Sequence, residues 1–304
     1  MNLGVLLMKK VTLQGTITAL VTPFKKDGSV DFDALANLID FQIDNKVDGI
    51  VVCGSTGESA TLTVKEKMAI IIKAVEHADG RVPIIAGTGS NETHESLDLT
   101  TFAADQGADA VLLVAPYYNK PTQDGLFEHF GLIAETAKVP IMIYNVPGRT
   151  AVNIHPETQL KLAEKFDNII ATKEASGSLE QMMQIIRNAP KGFDLLAGDD
   201  ALALPIISIG GKGVVSVVSN YAPKQFGDMI RTALKGDLKK AMKQHYDLLE
   251  LMDLNFIESN PIPVKCALYL MGHIKEVYRL PLLSAKPSTK KKIKLALQTA
   301  GFIK

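Results

Sequence analysis

Short apolar segments recur at regular spacing along most of the chain, and each is typical of a β-strand that is buried on both faces. Between them lie segments whose apolar residues follow a helical period, as Met68, Ile71, Ile72 and Val75 do. The strand-like segments are residues 16–20, 49–53, 82–86, 110–115, 140–144, 169–173, 194–197 and 213–218. Strands that alternate with helices predict βαβ units and therefore a parallel sheet.

The number of these units predicts an α/β fold of the TIM (β/α)8 barrel type over residues 1–235, and we expect this barrel to carry the active site. A doubly wound open sheet is the alternative. Such a sheet usually has a glycine-rich phosphate loop after its first strand, whereas the turn here, Val21-Thr-Pro-Phe-Lys25, contains no glycine. Beyond residue 235 only helical patterns occur, so residues 236–304 are predicted to form a C-terminal all-helical domain.

Composition excludes several classes of function. Among 304 residues the formal net charge is zero, which argues against a surface for nucleic acid or an anionic membrane. The apolar runs are too short to cross a bilayer. Cys53 and Cys266 do not suggest a disulfide framework and fit a cytoplasmic protein, and the six histidines lack metal-ligand spacing. Residues 1–7 are predicted to be a disordered leader before a start at Met8.

A lysine, Lys173, lies at the end of the strand-like segment 169–173. Burial disfavours the charged form of a lysine, and an uncharged lysine is a nucleophile toward carbonyl compounds. An ordinary ion pair, with Glu174 or with another carboxylate, is the alternative. Taken alone, this stretch favours the ion pair.

The ends of the other predicted strands change that preference. In a barrel of this type the active site lies at the C-terminal ends of the strands. The residues predicted there are Ser55, Thr56, Tyr118, Tyr144, Arg149, Lys173, Gly198 and Val215. Hydroxyl groups, tyrosines, an arginine and a lysine therefore meet at one rim, which favours a functional role for Lys173.

Each of these residues also has an ordinary structural interpretation. The turn Gly54-Ser-Thr-Gly57 offers N–H and hydroxyl donors to a substrate carboxylate, but its hydroxyls can equally bond their own backbone. Tyr144 can transfer protons or belong to the core, and Arg149 can bind a carboxylate or form a surface ion pair. Three acidic residues are expected to accept loop N–H groups rather than to act in catalysis. They are Glu58, Asp199 and Asp200.

Together the motifs resemble those of the pyruvate-dependent class I aldolase family that includes N-acetylneuraminate lyase. The resemblance runs from about Gly15 to Leu283. The matching stretches are Gly54-Ser-Thr-Gly-Glu58, Tyr144-Asn-Val-Pro-Gly-Arg149, Lys173-Glu-Ala-Ser-Gly177 and Asn260-Pro-Ile-Pro-Val-Lys265. The most similar branch condenses pyruvate with L-aspartate 4-semialdehyde to open diaminopimelate and lysine biosynthesis.

The resemblance implies a role for each matching position. Lys173 is expected to form a Schiff base with pyruvate, and Tyr144 to act as the proton donor. Ser55, Tyr118 and Tyr144 match a proton relay in which Tyr118 comes from a neighbouring subunit. Thr56, the backbone around Val215 and the strand end at Gly198 match the substrate site, and Arg149 matches the residue that binds the carboxylate of the aldehyde. The family is typically a homotetramer that needs no metal or organic cofactor.

One departure from the branch pattern keeps alternatives open. Ser55 replaces the first threonine of the usual Gly-Thr-Thr-Gly-Glu, and the serine form also occurs in sialic acid lyases. Arg149 and Gly198-Asp-Asp200 favour the synthase branch over a lyase for N-acetylneuraminate or a 2-keto-3-deoxy sugar acid. A non-catalytic barrel that senses a metabolite is the alternative from a different class, and the retained Lys173 and Tyr144 argue against it.

The resemblance also bears on regulation. Members inhibited by lysine carry two histidines at the positions of Val64 and Lys67, whereas Asn91, Glu95 and Tyr117 match their lysine-contacting pattern. A cation at Lys67 would repel the ammonium group of a bound lysine. We therefore expect weak feedback inhibition or none.

Overall fold

The computed structural model describes residues 11–304, so the predicted leader over residues 1–7 lies outside the described residues. Within them, parallel strands run in sequence order around a closed barrel. The strands are β1 (Gly15–Ala19), β2 (Gly49–Val52), β3 (Ile84–Gly87), β4 (Ala110–Val114), β5 (Ile141–Asn145), β6 (Ile169–Glu174), β7 (Asp194–Ala197) and β8 (Gly213–Ser216). The predicted TIM-barrel fold class is confirmed, and every strand-like segment of the sequence overlaps one strand.

Helices follow the strands and form the outer layer. They are α1 (Phe32–Asp44), α2 (Val64–Ala78), α3 (Thr93–Asp105), α4 (Gln123–Thr136), α5 (Pro147–Thr150), α6 (Pro156–Lys165), α7 (Leu179–Asn188), α8 (Ala203–Ser208) and α9 (Pro223–Leu234). The start of α2 is a capping box between Thr63 and Glu66. The helix ends just before Asp79, which adopts the left-handed conformation.

The two faces of the strands bury different sets of residues. Side chains that point into the barrel, such as Ile17, Val51, Met142 and Leu196, form one buried cluster. Side chains that point outward join the helices in a second, larger cluster. Because alternate residues of a strand face opposite sides, every position of a strand has an assigned face.

The barrel closes where β1 pairs with β8, and this seam requires glycine. Gly15 and Gly213 are register partners across it. A Cβ atom on Gly213 would lie only 2.2 Å from the carbonyl oxygen of Gly15. Gly213 also has a φ of +156°, so the close approach of the two strands excludes a side chain at this position.

The C-terminal helices pack directly on the barrel layer. They are α10 (Leu238–Leu254), α11 (Ile262–Leu270) and α12 (Pro287–Thr299). Leu251, Val264 and Leu297 belong to the same buried cluster as the outward side chains of the barrel. The predicted boundary at residue 235 falls between α9 and α10, and the division into two domains stays a prediction. No helix within residues 11–304 has the length and apolarity needed to cross a membrane.

A buried ion pair connects α11 to the loop that follows β2. The ammonium group of Lys265 donates to Glu58, and both side chains are almost fully buried. Burial lowers the pKa of Lys265, while the attraction of Glu58 opposes that shift. The backbone N–H of Arg279 donates to the second oxygen of Glu58 at 3.3 Å. This pair holds the β2 loop against the C-terminal helices.

We expect Lys265→Met to lower the free energy of unfolding by about 3–5 kcal/mol, because it leaves the carboxylate of Glu58 buried without its cation. Urea denaturation followed by circular dichroism measures the change. Lys224→Met is the matched control, since it breaks only the exposed pair with Asp228 and should cost less than about 1 kcal/mol. Equal losses in the two variants would contradict the structural importance of the buried pair.

Candidate active site

A cavity of about 210 Å³ lies at the C-terminal ends of the strands. Six of the eight site residues predicted from the sequence line it. They are Ser55, Thr56, Tyr144, Arg149, Lys173 and Gly198. The barrel therefore brings together residues from four strand ends that are far apart in the sequence.

Lys173 reaches this cavity from inside the barrel. It follows Ala171 on β6, and both residues belong to the inward-facing side of the strand. Its register partner on β5 is Tyr144. The side chain of Lys173 is 6% exposed, and its Nζ atom lies 4.0 Å from the centre of the Tyr144 ring. The amine and the phenol thus occupy one small space.

The alternative ion pair between Lys173 and Glu174 does not form. Glu174 points to the opposite face of β6, where its carboxylate accepts hydrogen bonds from the side-chain amides of Asn145, Gln159 and Gln181 at 3.0–3.1 Å. The backbone N–H of Ser176 donates to it at 2.8 Å. Within residues 11–304, Lys173 belongs to none of the ion pairs. Its amine is therefore available for chemistry.

Gly198 provides the room that the lysine needs. It follows β7, next to the strand that carries Lys173. A Cβ atom at Gly198 would lie 3.2 Å from Cε of Lys173 and 2.6 Å from Cβ of Ala175. Any larger residue would push against the stem of Lys173 and narrow the cavity.

The β2 loop supplies the hydroxyl groups. Its turn is held by backbone bonds from Gly57 to Gly54 and from Glu58 to Ser55, at 3.0 and 3.1 Å. Thr56 is buried, and its Oγ1 atom accepts a hydrogen bond from a residue of the C-terminal region, Asn260, at 2.9 Å. Thr56 therefore does not bond only its own backbone, which was the alternative interpretation.

Arg149 borders the open side of the cavity. It lies on the four-residue helix α5, directly after β5, and its side chain is exposed. One of its nitrogen atoms, Nη2, donates to the backbone carbonyl of Asn260 at 3.2 Å. Within the described part of the chain Arg149 makes no ion pair, so no carboxylate there occupies its remaining donors. This geometry suits the binding of a carboxylate from solution.

Two of the predicted site residues do not line the cavity. Val215 is buried in the cluster inside the barrel, and Val217, two residues later, contributes to the wall instead. Tyr118 is 89% exposed, has a φ of +74° and is not among the residues that line the cavity of its own chain.

The three acidic residues near the rim accept protein N–H groups, as expected. Asp200 accepts from the backbone of Val217 and Val218 at 2.7–3.2 Å, and Asp199 accepts from Ala201 at 2.9 Å. Burial raises the pKa of Asp200 to about 6. Glu58 accepts one N–H but chiefly binds Lys265, a partner that the sequence analysis did not identify.

Comparison with known proteins assigns the family. Residues 12–300 match the model of the dihydrodipicolinate synthetase family. The chain belongs to this family.

Individual relatives agree with the family match over nearly the whole chain. The 4-hydroxy-tetrahydrodipicolinate synthase of Methanococcus vannielii is 51% identical over 292 residues, which cover 96% of this chain and all of the relative. The crystal structure of dihydrodipicolinate synthase from Aquifex aeolicus is 46% identical, has a TM-score of 0.94 and covers 95% of this chain and 99% of its own. The chloride-inhibited dihydrodipicolinate synthase from Acinetobacter baumannii, crystallised with pyruvate, is 41% identical with a TM-score of 0.94 and covers 96% of this chain and all of its own.

The C-terminal region contributes to the site, which local sequence patterns did not indicate. Asn260 and Phe256 line the cavity although both lie beyond residue 235. The stretch Asn260-Pro-Ile-Pro-Val-Lys265 was part of the resemblance, but it was given no role. Its proximity to the β2 loop could not be inferred from local pattern, since more than two hundred residues separate Asn260 from Thr56.

Side chains that commonly bind metals do not converge at the site. Within residues 11–304 no three His, Cys, Asp or Glu side chains are arranged to hold a metal ion. Cys53 and Cys266 are buried free thiols, and burial raises the pKa of Cys53 to about 12 and that of Cys266 to about 11. The expectation that no cofactor is needed stays a prediction.

Proposed function

We propose that this chain condenses pyruvate with L-aspartate 4-semialdehyde to give 4-hydroxy-tetrahydrodipicolinate, as a class I aldolase-type lyase in lysine and diaminopimelate biosynthesis. One observation carries the proposal: within residues 11–304 the amine of Lys173 has no ion-pair partner, and it lies beside Tyr144 in a cavity that Arg149 also lines. The names of the family and of its relatives support this reaction over a sugar-acid lyase.

The first half of the reaction activates pyruvate. The uncharged amine of Lys173 attacks the ketone carbon, and loss of one water leaves an imine between Nζ and that carbon. Removal of a proton from the methyl group converts the imine into an enamine, whose terminal carbon is a nucleophile. We assign these proton transfers to Tyr144, whose ring centre lies 4.0 Å from Nζ.

The second half forms the new carbon–carbon bond. The enamine carbon attacks the aldehyde carbon of the second substrate, and the aldehyde oxygen takes a proton to become the 4-hydroxyl group. Arg149 holds the substrate's carboxylate and so aligns the aldehyde with the enamine. The substrate's own amine then attacks the imine carbon, and Lys173 leaves as the free amine when the ring closes.

Proton exchange with solvent is assigned to Ser55, Tyr144 and Tyr118. Ser55 and Tyr144 line the same cavity, whereas Tyr118 is exposed on its own chain. We therefore assign Tyr118 to the cavity of a neighbouring subunit, within a homotetramer. Thr56, with the backbone near Val215 and Gly198, is assigned to pyruvate. The enzyme is assigned to the cytoplasm, in keeping with its two free thiols.

Reduction with borohydride in the presence of pyruvate should trap a stable adduct on Lys173, and Lys173→Ala should abolish it because the nucleophile is gone. Mass spectrometry of the intact chain measures the added mass. Lys191→Ala is the matched control, since this exposed lysine precedes β7 at the opposite end of the barrel. Unchanged trapping in Lys173→Ala would refute the assignment of the Schiff base.

We expect Arg149→Ala to raise the KM for aspartate semialdehyde roughly 10- to 100-fold, because the lost contacts are hydrogen bonds to a carboxylate. The KM for pyruvate should stay within about twofold of the unmodified value. Steady-state kinetics with each substrate varied in turn separate the two effects. Arg187→Ala, on the outer face of α7, controls for loss of a positive charge. If only the KM for pyruvate rose, Arg149 would bind pyruvate and not aspartate semialdehyde, and the assignment would be wrong.

Weak inhibition by lysine is expected for a structural reason as well as from the resemblance. Lys67 lies 3.7 Å from Glu95, so its ammonium group already pairs with the single carboxylate among the residues matched to lysine binding. The ammonium group of a bound lysine would have to displace Lys67 from Glu95 and would also be repelled by the positive charge of Lys67.

The inhibition assay uses lysine as the titrant. We expect less than half-inhibition at millimolar lysine, and we expect Lys67→His to increase sensitivity at a pH where the histidine is uncharged. Lys65→His, an exposed position two residues earlier on α2, is the matched control. Half-inhibition of the unmodified enzyme by micromolar lysine would contradict the prediction.

A further inference from the structure

One residue of this site comes from the C-terminal region and not from the barrel. Asn260 lies in the turn before α11, is 7% exposed and lines the cavity that contains Lys173. Its side chain and its backbone carbonyl contact two different groups of the cavity wall, Thr56 and Arg149. These two groups are assigned to different substrates.

The side chain of Asn260 determines which way the hydroxyl of Thr56 can donate. The amide nitrogen Nδ2 donates to Oγ1 of Thr56 at 2.9 Å. A hydroxyl group has one hydrogen, and Oγ1 uses a lone pair rather than that hydrogen in this contact. The hydroxyl hydrogen of Thr56 therefore remains available to an acceptor in the cavity, such as a carboxylate.

The backbone of Asn260 serves the other substrate. Its carbonyl oxygen accepts from Nη2 of Arg149 at 3.2 Å, which holds one arm of the guanidinium group at the edge of the cavity. Replacing the side chain of Asn260 removes the contact to Thr56 and leaves this carbonyl in the chain. The two contacts can therefore be separated by experiment.

The surroundings keep Asn260 in place. Lys265, on the first turns of α11, binds Glu58, which is two residues from Thr56 in the same loop. The hydroxyl of Tyr278 donates to the carbonyl of Ile262 at 3.0 Å, which fixes the start of α11. The segment that carries Asn260 is thus joined to the β2 loop at a second point, so the amide meets Thr56 in a defined orientation.

We propose that Asn260 is a positioning residue of the pyruvate site: its side-chain amide orients the hydroxyl of Thr56 so that this hydroxyl donates to the substrate's carboxylate. The inference rests on the proposed function. It assigns the C-terminal region a direct part in substrate binding, through Thr56 rather than through contact with the reacting atoms.

The test measures pyruvate affinity without requiring turnover. Borohydride trapping on Lys173 is followed over a range of pyruvate concentrations, and the concentration for half-maximal trapping is compared between variants. Asn260→Ala should raise this concentration about tenfold, which corresponds to the loss of one hydrogen bond to a charged acceptor. The KM for the aldehyde should change less than about twofold, because the carbonyl that holds Arg149 remains.

A double-mutant comparison separates positioning from general structural damage. In a Thr56→Val background the hydroxyl is absent, so adding Asn260→Ala should cause no further rise in the half-maximal pyruvate concentration. Asn255→Ala is the matched control: Asn255 is buried in the same region, accepts from the hydroxyl of Tyr221 at 3.3 Å and does not line the cavity. It should lower thermal stability and leave pyruvate affinity unchanged.

The outcomes distinguish this inference from the proposed function. Absence of trapping in the unmodified enzyme would reject the proposed function itself. Three results would overturn the inference and leave the proposed function intact. The first is normal trapping with no effect of Asn260→Ala, and the second is an equal rise in the half-maximal pyruvate concentration with and without the hydroxyl of Thr56. The third is that Asn260→Ala raises the KM for the aldehyde as much as the half-maximal pyruvate concentration. If Asn260→Ala does not fold, as judged by circular dichroism, Asn260→Asp fills the same volume. Its carboxylate accepts the hydrogen of Thr56, and the same dependence on Thr56 is expected.

Discussion

Closure of the parallel sheet between β1 and β8 is the constraint on which the rest of the structure depends. The pairing brings Gly15 against Gly213 so closely that a side chain cannot be accommodated there. Once the ring of strands is closed, all of its C-terminal ends meet at one rim. Lys173, Tyr144 and Gly198 become neighbours because their strands are adjacent in that ring, not because of any local affinity between them.

The closed barrel also separates charges that adjoin in the sequence. Lys173 and Glu174 are consecutive, yet the alternation of a strand sends one inward and the other outward. The amides of Asn145, Gln159 and Gln181 satisfy the carboxylate on the outer face. Because uncharged donors hold Glu174, the amine of Lys173 has no counter-ion within residues 11–304.

The C-terminal region supplies contacts to the active site that the barrel strands do not. The buried pair of Lys265 with Glu58 and the contact of Asn260 with Thr56 join one short segment to one short loop. Burying an ion pair costs desolvation energy that can exceed its attraction, although removal of one partner alone is strongly destabilising. The pair therefore serves chiefly to join the β2 loop to α11. The active site is therefore built by both parts of the chain.

Much of this was determined by the sequence alone. The period of the apolar residues established the order of strands and helices, since burial on both faces of a strand requires an unbroken apolar run. The motifs around Ser55, Tyr144 and Lys173 resembled those of a class I aldolase family, and that resemblance implied Schiff-base chemistry. Only the tertiary structure decided whether Lys173 was paired, which residue after β8 lines the cavity, and that Asn260 reaches Thr56. Those outcomes depend on side-chain direction and on contacts across more than two hundred residues, and no local pattern encodes them.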